Sequence, residues 1–183
     1  SFSASFTEPW LGGKKPNSLS VSAYWSEETT NYYYTNTSDS YFRAMGVTAG
    51  LGRRLEWPDQ YFTLYNELGY QAYQMRDWDY FLFQNGWSNI ITLRSVLSRS
   101  SVDSSIFPTQ GSSFTLSLAL TPPYSLFSKK DFSKATDQEK YRWIEYHKWG
   151  LNAEWYYPLT NNNKLIFMAK LGMGYLGSYN KYK

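Results

Sequence analysis

The sequence predicts an all-β fold: antiparallel strands that form part of the wall of a membrane-spanning barrel. Three observations carry this expectation. Apolar and polar residues alternate over eight stretches, and phenylalanine, tryptophan and tyrosine make up 20% of the 183 residues. No apolar run is long enough for a spanning helix. A strand sends successive side chains to opposite faces, so such alternation separates an apolar face from a polar one. Mean hydropathy is negative. That would argue against a bundle of membrane helices, but in a barrel only every second residue faces lipid and the loops are polar.

The first expected strand, Ser1–Glu8, puts Phe2, Ala4 and Phe6 on one face and ends at Pro9, which has no backbone donor. Gly12–Pro16 reads as a tight polar turn. Asn17–Ser26 sets Leu19, Val21, Ala23 and Trp25 against Ser18, Ser20, Ser22 and Tyr24. Glu27–Ser40 is polar and tyrosine-rich and reads as a longer loop. Its Asn36-Thr37-Ser38 matches a glycosylation acceptor, a pattern short enough to recur by chance.

Tyr41–Trp57 carries Met45, Val47, Ala49 and Leu51 outward and Gly46, Thr48, Gly50, Gly52 and Arg54 inward. Inward glycines would weaken a soluble strand; in a barrel they leave room for large side chains opposite. Pro58-Asp59 turns the chain into Tyr61–Gln74, where Phe62, Leu64, Leu68 and Tyr70 oppose Thr63, Tyr65, Glu67 and Gln71. Arg76–Gly86 is a second loop. Ser88–Ser101 is less regular, with Ile91, Leu93 and Leu97 outward and Arg94 and Ser98 inward.

A bend over Asp103–Gly111 follows, with Asp103, Phe107, Pro108, Thr109 and Gly111 as its structural residues. Pro108 cannot donate to a ladder, and Gly111 can take a positive φ where the chain re-enters the sheet. Ser112–Thr121 then alternates strictly, Phe114, Leu116, Leu118 and Leu120 against Ser113, Thr115, Ser117 and Ala119. Pro122–Glu139 is a long loop. Lys140–Tyr157 and Lys164–Gly177 are the last two strands, joined by a turn of asparagines that tolerate left-handed backbone. Gly12–Pro16, Pro58–Asp59, the Phe-Pro-Thr bend and Thr160–Asn163 read as shorter turns, the other three connections as longer loops. Segregation of this kind is a feature of outer-membrane barrels.

Net charge is +3 with scattered lysines and arginines, too small to point to a nucleic-acid or anionic-membrane partner. The absence of cysteine excludes thiolate metal sites, disulfides and cysteine nucleophiles. No signal peptide is visible, and the final Ser-Tyr-Asn-Lys-Tyr-Lys is not an aromatic-terminated strand, so an internal segment of a longer barrel is expected.

No catalytic constellation emerges, and neither enzymatic activity nor a cofactor is expected. The single histidine, His147, lies among aromatics and reads as structural. Asp77, Asp79, Glu27 and Glu28 lack a calcium-loop pattern and read as solvated loop charges. Inward Arg54, Glu67, Arg94, Lys148, Glu154 and Lys170 are mixed in sign, which suits paired charges in a wet lumen better than an ion-selective filter. The tryptophans fall mostly at strand ends, where an interface girdle accounts for them better than a stacking platform for sugars or bases. Keeping Trp155 and Leu151 in phase with Leu165, Phe167 and Leu171 requires facing residues of even sum. A turn at Asn161–Asn163 that pairs Thr160 with Lys164 then sets Glu154 opposite Lys170, as an expected ion pair.

An arginine-bearing strand followed by Asp103-x-x-x-Phe107-Pro108-Thr109-x-Gly111 and an alternating strand resembles the barrel of the BamA family of outer-membrane insertases. Ser5–Gly13 resembles that family's strand end and periplasmic turn, Gly46–Leu55 its glycine-rich strand, and Trp155-Tyr156-Tyr157-Pro158-Leu159 its aromatic-Pro-Leu turn. The resemblance runs in order over nearly the whole chain. It implies about eight strands of a larger, sixteen-stranded outer-membrane barrel, preceded by periplasmic POTRA domains. It also implies a role in folding and inserting client outer-membrane β-barrel proteins, in contact with outer-membrane lipids and accessory assembly lipoproteins. The family's seam strands and its Arg-Gly-Phe loop motif would lie outside this segment. A secretion translocator of the same family, a porin-like channel and a soluble all-β binding domain are the alternative readings.

Overall fold

A computed structural model describes residues 1–13, 17–29, 40–79, 83–128 and 131–182. Its strands are β1 (Phe2–Glu8), β2 (Asn17–Thr29), β3 (Tyr41–Arg54), β4 (Phe62–Arg76), β5 (Gly86–Ser100), β6 (Gly111–Leu120), β7 (His147–Pro158) and β8 (Ile166–Gly177). They form one sheet in chain order, each strand antiparallel to its sequence neighbour. No pairing joins β1 to β8 among the described residues, so the sheet is open at both edges.

The register preserves the alternation from strand to strand. Phe6, Val21, Ala49, Leu68, Leu93 and Leu120 face one another in turn across six strands on one side. Ser20, Gly50, Glu67, Arg94, Ala119 and Lys148 do so on the other. A one-residue slip anywhere would mix the two sets. Nothing among the described residues packs a second layer on the apolar side, where Phe2, Val47, Leu51, Leu68, Leu171 and Tyr175 are all exposed. An exposed apolar face of this extent marks a surface that a partner or a membrane covers.

Three strand ends differ from the sequence expectation by three residues or more, the others by one or two at most. β2 continues to Thr29 because Glu27 and Thr29 still face partners, Arg43 and Tyr41, on β3. β3 stops at Arg54, short of Trp57, as the chain enters the turn at Pro58. The largest correction concerns β7, which begins at His147 and not at Lys140. The residues before it form a short helix, Asp137–Lys140, started by a capping box in which Thr136 and Glu139 satisfy each other's backbone. A second short helix, Tyr124–Phe127, occupies the start of the same connection.

The connection lengths are also corrected. The four turns at one end span residues 9–16, 55–61, 101–110 and 159–165, seven to ten residues each. At the other end, residues 77–85 make a connection of only nine, and 30–40 one of eleven. Strand extension at that end consumed residues expected in the loops. Only the β6–β7 connection, residues 121–146, is clearly long. The Asn36-Thr37-Ser38 pattern, the tyrosines at 32–34 and the lysines at 129 and 130 lie outside the described residues.

Candidate functional site

The turn between β5 and β6 is closed by one side chain. The Asp103 carboxylate accepts the amide of Thr109 at 2.9 Å and that of Gln110 at 3.3 Å, and the Thr109 hydroxyl as well. The Thr109 hydroxyl, then its amide, hold the Asp103 carboxyl down at about 2. A carboxyl depressed on folding contributes above its ordinary range and loses that contribution as pH falls toward the folded value. Gly111 has φ +108°, and a Cβ there would overlap the Ser101 carbonyl, so this position requires glycine. Phe107 and its neighbour Ile106, 82% and 77% exposed, lie in this turn.

Arg99 was not among the residues singled out by sequence, yet it joins two turns. Its Nε donates to Asp59 at 2.8 Å and a terminal nitrogen to Ser101 and Ser112, both at 3.1 Å. The register that puts Phe62 opposite Arg99 was the signal that could have brought Asp59 and Arg99 together.

On the polar face the register sets Glu154 against Lys170, and their side chains meet at 2.7 Å. Tyr156 donates a further hydrogen bond to Glu154 at 3.0 Å. The β7–β8 turn keeps the expected even sum, although the ladder ends at Pro158 and Ile166 instead of reaching Thr160 and Lys164. Glu67 and Arg94 also face each other but form no ion pair among the described residues; Glu67 accepts from the Tyr65 hydroxyl at 3.0 Å. Tyr65 spans the sheet to Ser20 at 2.9 Å, passing over Gly50, where a Cβ would overlap its hydroxyl. Arg54 lies at the end of the same face, opposite Thr63. Pairing of mixed charges is therefore seen at Glu154–Lys170 and does not extend to Arg54, Glu67 and Arg94.

The acidic loop residues are occupied by amides. Asp77 is bonded to Asn85 and Asp79 to Gln84. Glu27 pairs with Arg43 at 2.6 Å across β2 and β3. His147 accepts from Trp149 at 3.1 Å through Nδ1, and its ring lies 5.6 Å from that of Tyr175 and 5.2 Å from that of Tyr179. Among the described residues no group of three or more histidine, aspartate and glutamate side chains gathers to hold a metal.

The long β6–β7 connection folds back on the free edge of β5, which extends beyond the last β6 pairing at Leu93. Asn89 donates its amide to Arg142 O and receives that of Ile144, both at 2.9 Å. The Ser88 hydroxyl donates to Tyr141 O at 2.7 Å. Buried Glu145 accepts the Ser125 amide at 2.8 Å, fixing the connection to itself. This fold-back leaves a cavity of about 540 Å³ lined by Tyr70, Gly86, Trp87, Asn89, Gln138, Glu139 and Arg142. Sequence reading placed none of these in a site, because three of them arrive through a long-range contact.

A family model described as the Omp85 superfamily domain matches residues 1–183. In structure the chain is similar to the crystal structure of BamA from Haemophilus ducreyi lacking POTRA domains 1-3, with a TM-score of 0.64 and 21% identity. The similarity covers 97% of this chain and 33% of that one, so the chain spans about a third of its length. At this identity the likeness concerns the fold. No curated protein matches the sequence.

Proposed function

Because the chain belongs to the Omp85 superfamily, we propose that it forms part of the barrel wall of a bacterial outer-membrane assembly factor of the BamA kind, which folds and inserts other β-barrel proteins. The observation that carries this reading is the single-layer antiparallel sheet, with one face apolar, uncovered and bordered by tryptophans, and the other polar. Such a sheet fits a wall between lipid and water. Its partners on this reading are outer-membrane lipids, client barrels bound for the same membrane and accessory assembly lipoproteins, and it works without a cofactor. The polar face is the lumen side, so that Arg54, Glu67, Arg94, Glu154 and Lys170 face water within the barrel. The turn built on Asp103, Phe107, Pro108, Thr109 and Gly111 is structural and faces the periplasm.

Depleting the full-length protein in its own cell and measuring the outer-membrane proteome tests this. Many unrelated barrel proteins should fall together, because one insertase serves them all. Loss of one secreted protein with normal barrel levels would favour a secretion translocator. Loss of one solute's uptake alone would favour a porin-like channel.

A further inference from the structure

The cavity between β4, β5 and the folded-back connection opens beside the apolar face. Tyr70, Trp87 and Asn89 share that face by register with Leu68, Ile91 and Leu93. Trp87 is 45% exposed and Tyr70 42%, each with an apolar ring available to a neighbour. The Tyr70 hydroxyl is fixed by Asn89 at 2.9 Å, and the Asn89 amide in turn by Arg142 O at 3.1 Å. The Gln138 side chain lies against the Gly86 backbone, where even a Cβ would crowd it. Glu139 remains tied to the Thr136 amide at 3.2 Å. The Arg142 guanidinium has no ion-pair or hydrogen-bond partner among the described residues, although Arg142 is anchored through its carbonyl.

We propose that this cavity is a binding site for the phosphate-bearing headgroup of a membrane lipid, whose chains lie along the apolar face at Leu68 and Leu93. The guanidinium offers planar, permanently charged donors suited to a phosphate, and the Gln138 amide adds another. Trp87 and Tyr70 are amphipathic rings of the type that sits at headgroup level. A lipid is favoured over a free phosphate because the cavity is continuous with a face that needs a nonpolar covering, and one molecule satisfies both. Two backbone hydrogen bonds and the Ser88 and Asn89 side chains hold the connection on β5, so the cavity is built before the ligand arrives. The inference rests on the apolar face lying in lipid.

The test uses the purified full-length protein in detergent and native mass spectrometry to count retained lipid. The probes are phosphatidylglycerol and a neutral glycolipid with the same acyl chains, each with and without inorganic phosphate as competitor. The variants are Arg142→Gln, Arg142→Lys and, as a control of equal charge change to Arg142→Gln on the opposite face, Lys148→Gln. The wild type and Lys148→Gln should retain phosphatidylglycerol in preference to the glycolipid. Arg142→Gln should weaken retention on the order of tenfold, the size of one charge-assisted contact, and Arg142→Lys should restore part of it. Substitution of this side chain leaves the carbonyl that anchors the connection in place, so folding is preserved. Equal retention by wild type and Arg142→Gln, or no preference for the phosphate headgroup, would overturn the site while leaving a lipid-facing wall intact. Displacement by inorganic phosphate without any preference between lipids would reassign it to a soluble anion. Absence of retained lipid on every form would overturn both the site and the lipid-facing reading beneath it.

Discussion

Gly111 and Gly174 both lie in strands, and only one is needed as glycine. At Gly111 the backbone has φ +108°, and a Cβ would meet the Ser101 carbonyl and Val102 Cα, atoms that cannot rotate away. At Gly174 an added Cβ meets nothing within 4 Å, and φ lies in the ordinary strand region. Gly111→Ala should therefore destabilise the full-length protein by roughly 1–3 kcal/mol, the range for a strained backbone conformation, whereas Gly174→Ala should stay within about 0.5 kcal/mol. Urea unfolding in detergent measures both; equal effects would show that the turn tolerates a side chain. Gly50 is an intermediate case. Its obstacle is the movable Tyr65 ring, and the loss there is the Ser20–Tyr65–Glu67 hydrogen-bond chain.

Strand register can be tested directly because the chain has no cysteine to interfere. Ala153 of β7 faces Leu171 of β8, and facing residues in an antiparallel pair lie about 4.5–5.5 Å apart at Cα, within disulfide reach. Cysteines at 153 and 171 should cross-link under mild oxidation, and cysteines at 153 and 172, on opposite faces, should not. The reverse result would mean a one-residue slip, separating Glu154 from Lys170 and turning Trp155 to the polar side. This register was legible in the sequence, since the parity of Trp155, Leu165 and Phe167 leaves one phase for the turn. The start of β7 was not legible there. Tyr141-Arg142-Trp143-Ile144 has the composition of a strand, but its backbone is taken by the edge of β5 and the carboxylate of Glu145 by Ser125. One local signal was present in Thr136-Asp137-Gln138-Glu139, a capping-box sequence that announces a helix start. The cavity beneath Gln138 and Arg142 had no such signal, because its two sides are about fifty residues apart and meet only after the connection folds back.

At the scale of the whole molecule, the two edges decide what surrounds this sheet. β1 and β8, of seven and twelve residues, each carry one row of backbone groups unpaired among the described residues. In hydrocarbon each unsatisfied group costs several kcal/mol, and such a row would outweigh the about 5–15 kcal/mol by which a folded protein is ordinarily stable. Closure of β1 onto β8 would remove the cost, but eight strands then enclose an interior only wide enough for side chains. The polar face carries Arg54, Arg94 and Lys148 without ion-pair partners among the described residues. Packing those cations together in so narrow a barrel would desolvate them without compensation. A larger barrel avoids this, with each edge paired to a strand beyond these residues and water reaching the polar face. In the full-length protein in a bilayer, hydrogen exchange at the amides of β1 and β8 should therefore be as slow as in β3 to β5 in the middle of the sheet. Rapid exchange along either edge would show an unpaired strand and sink the proposed continuation of the wall. Slow exchange accompanied by a disulfide between cysteines placed on β1 and β8 would show that the eight strands close on themselves.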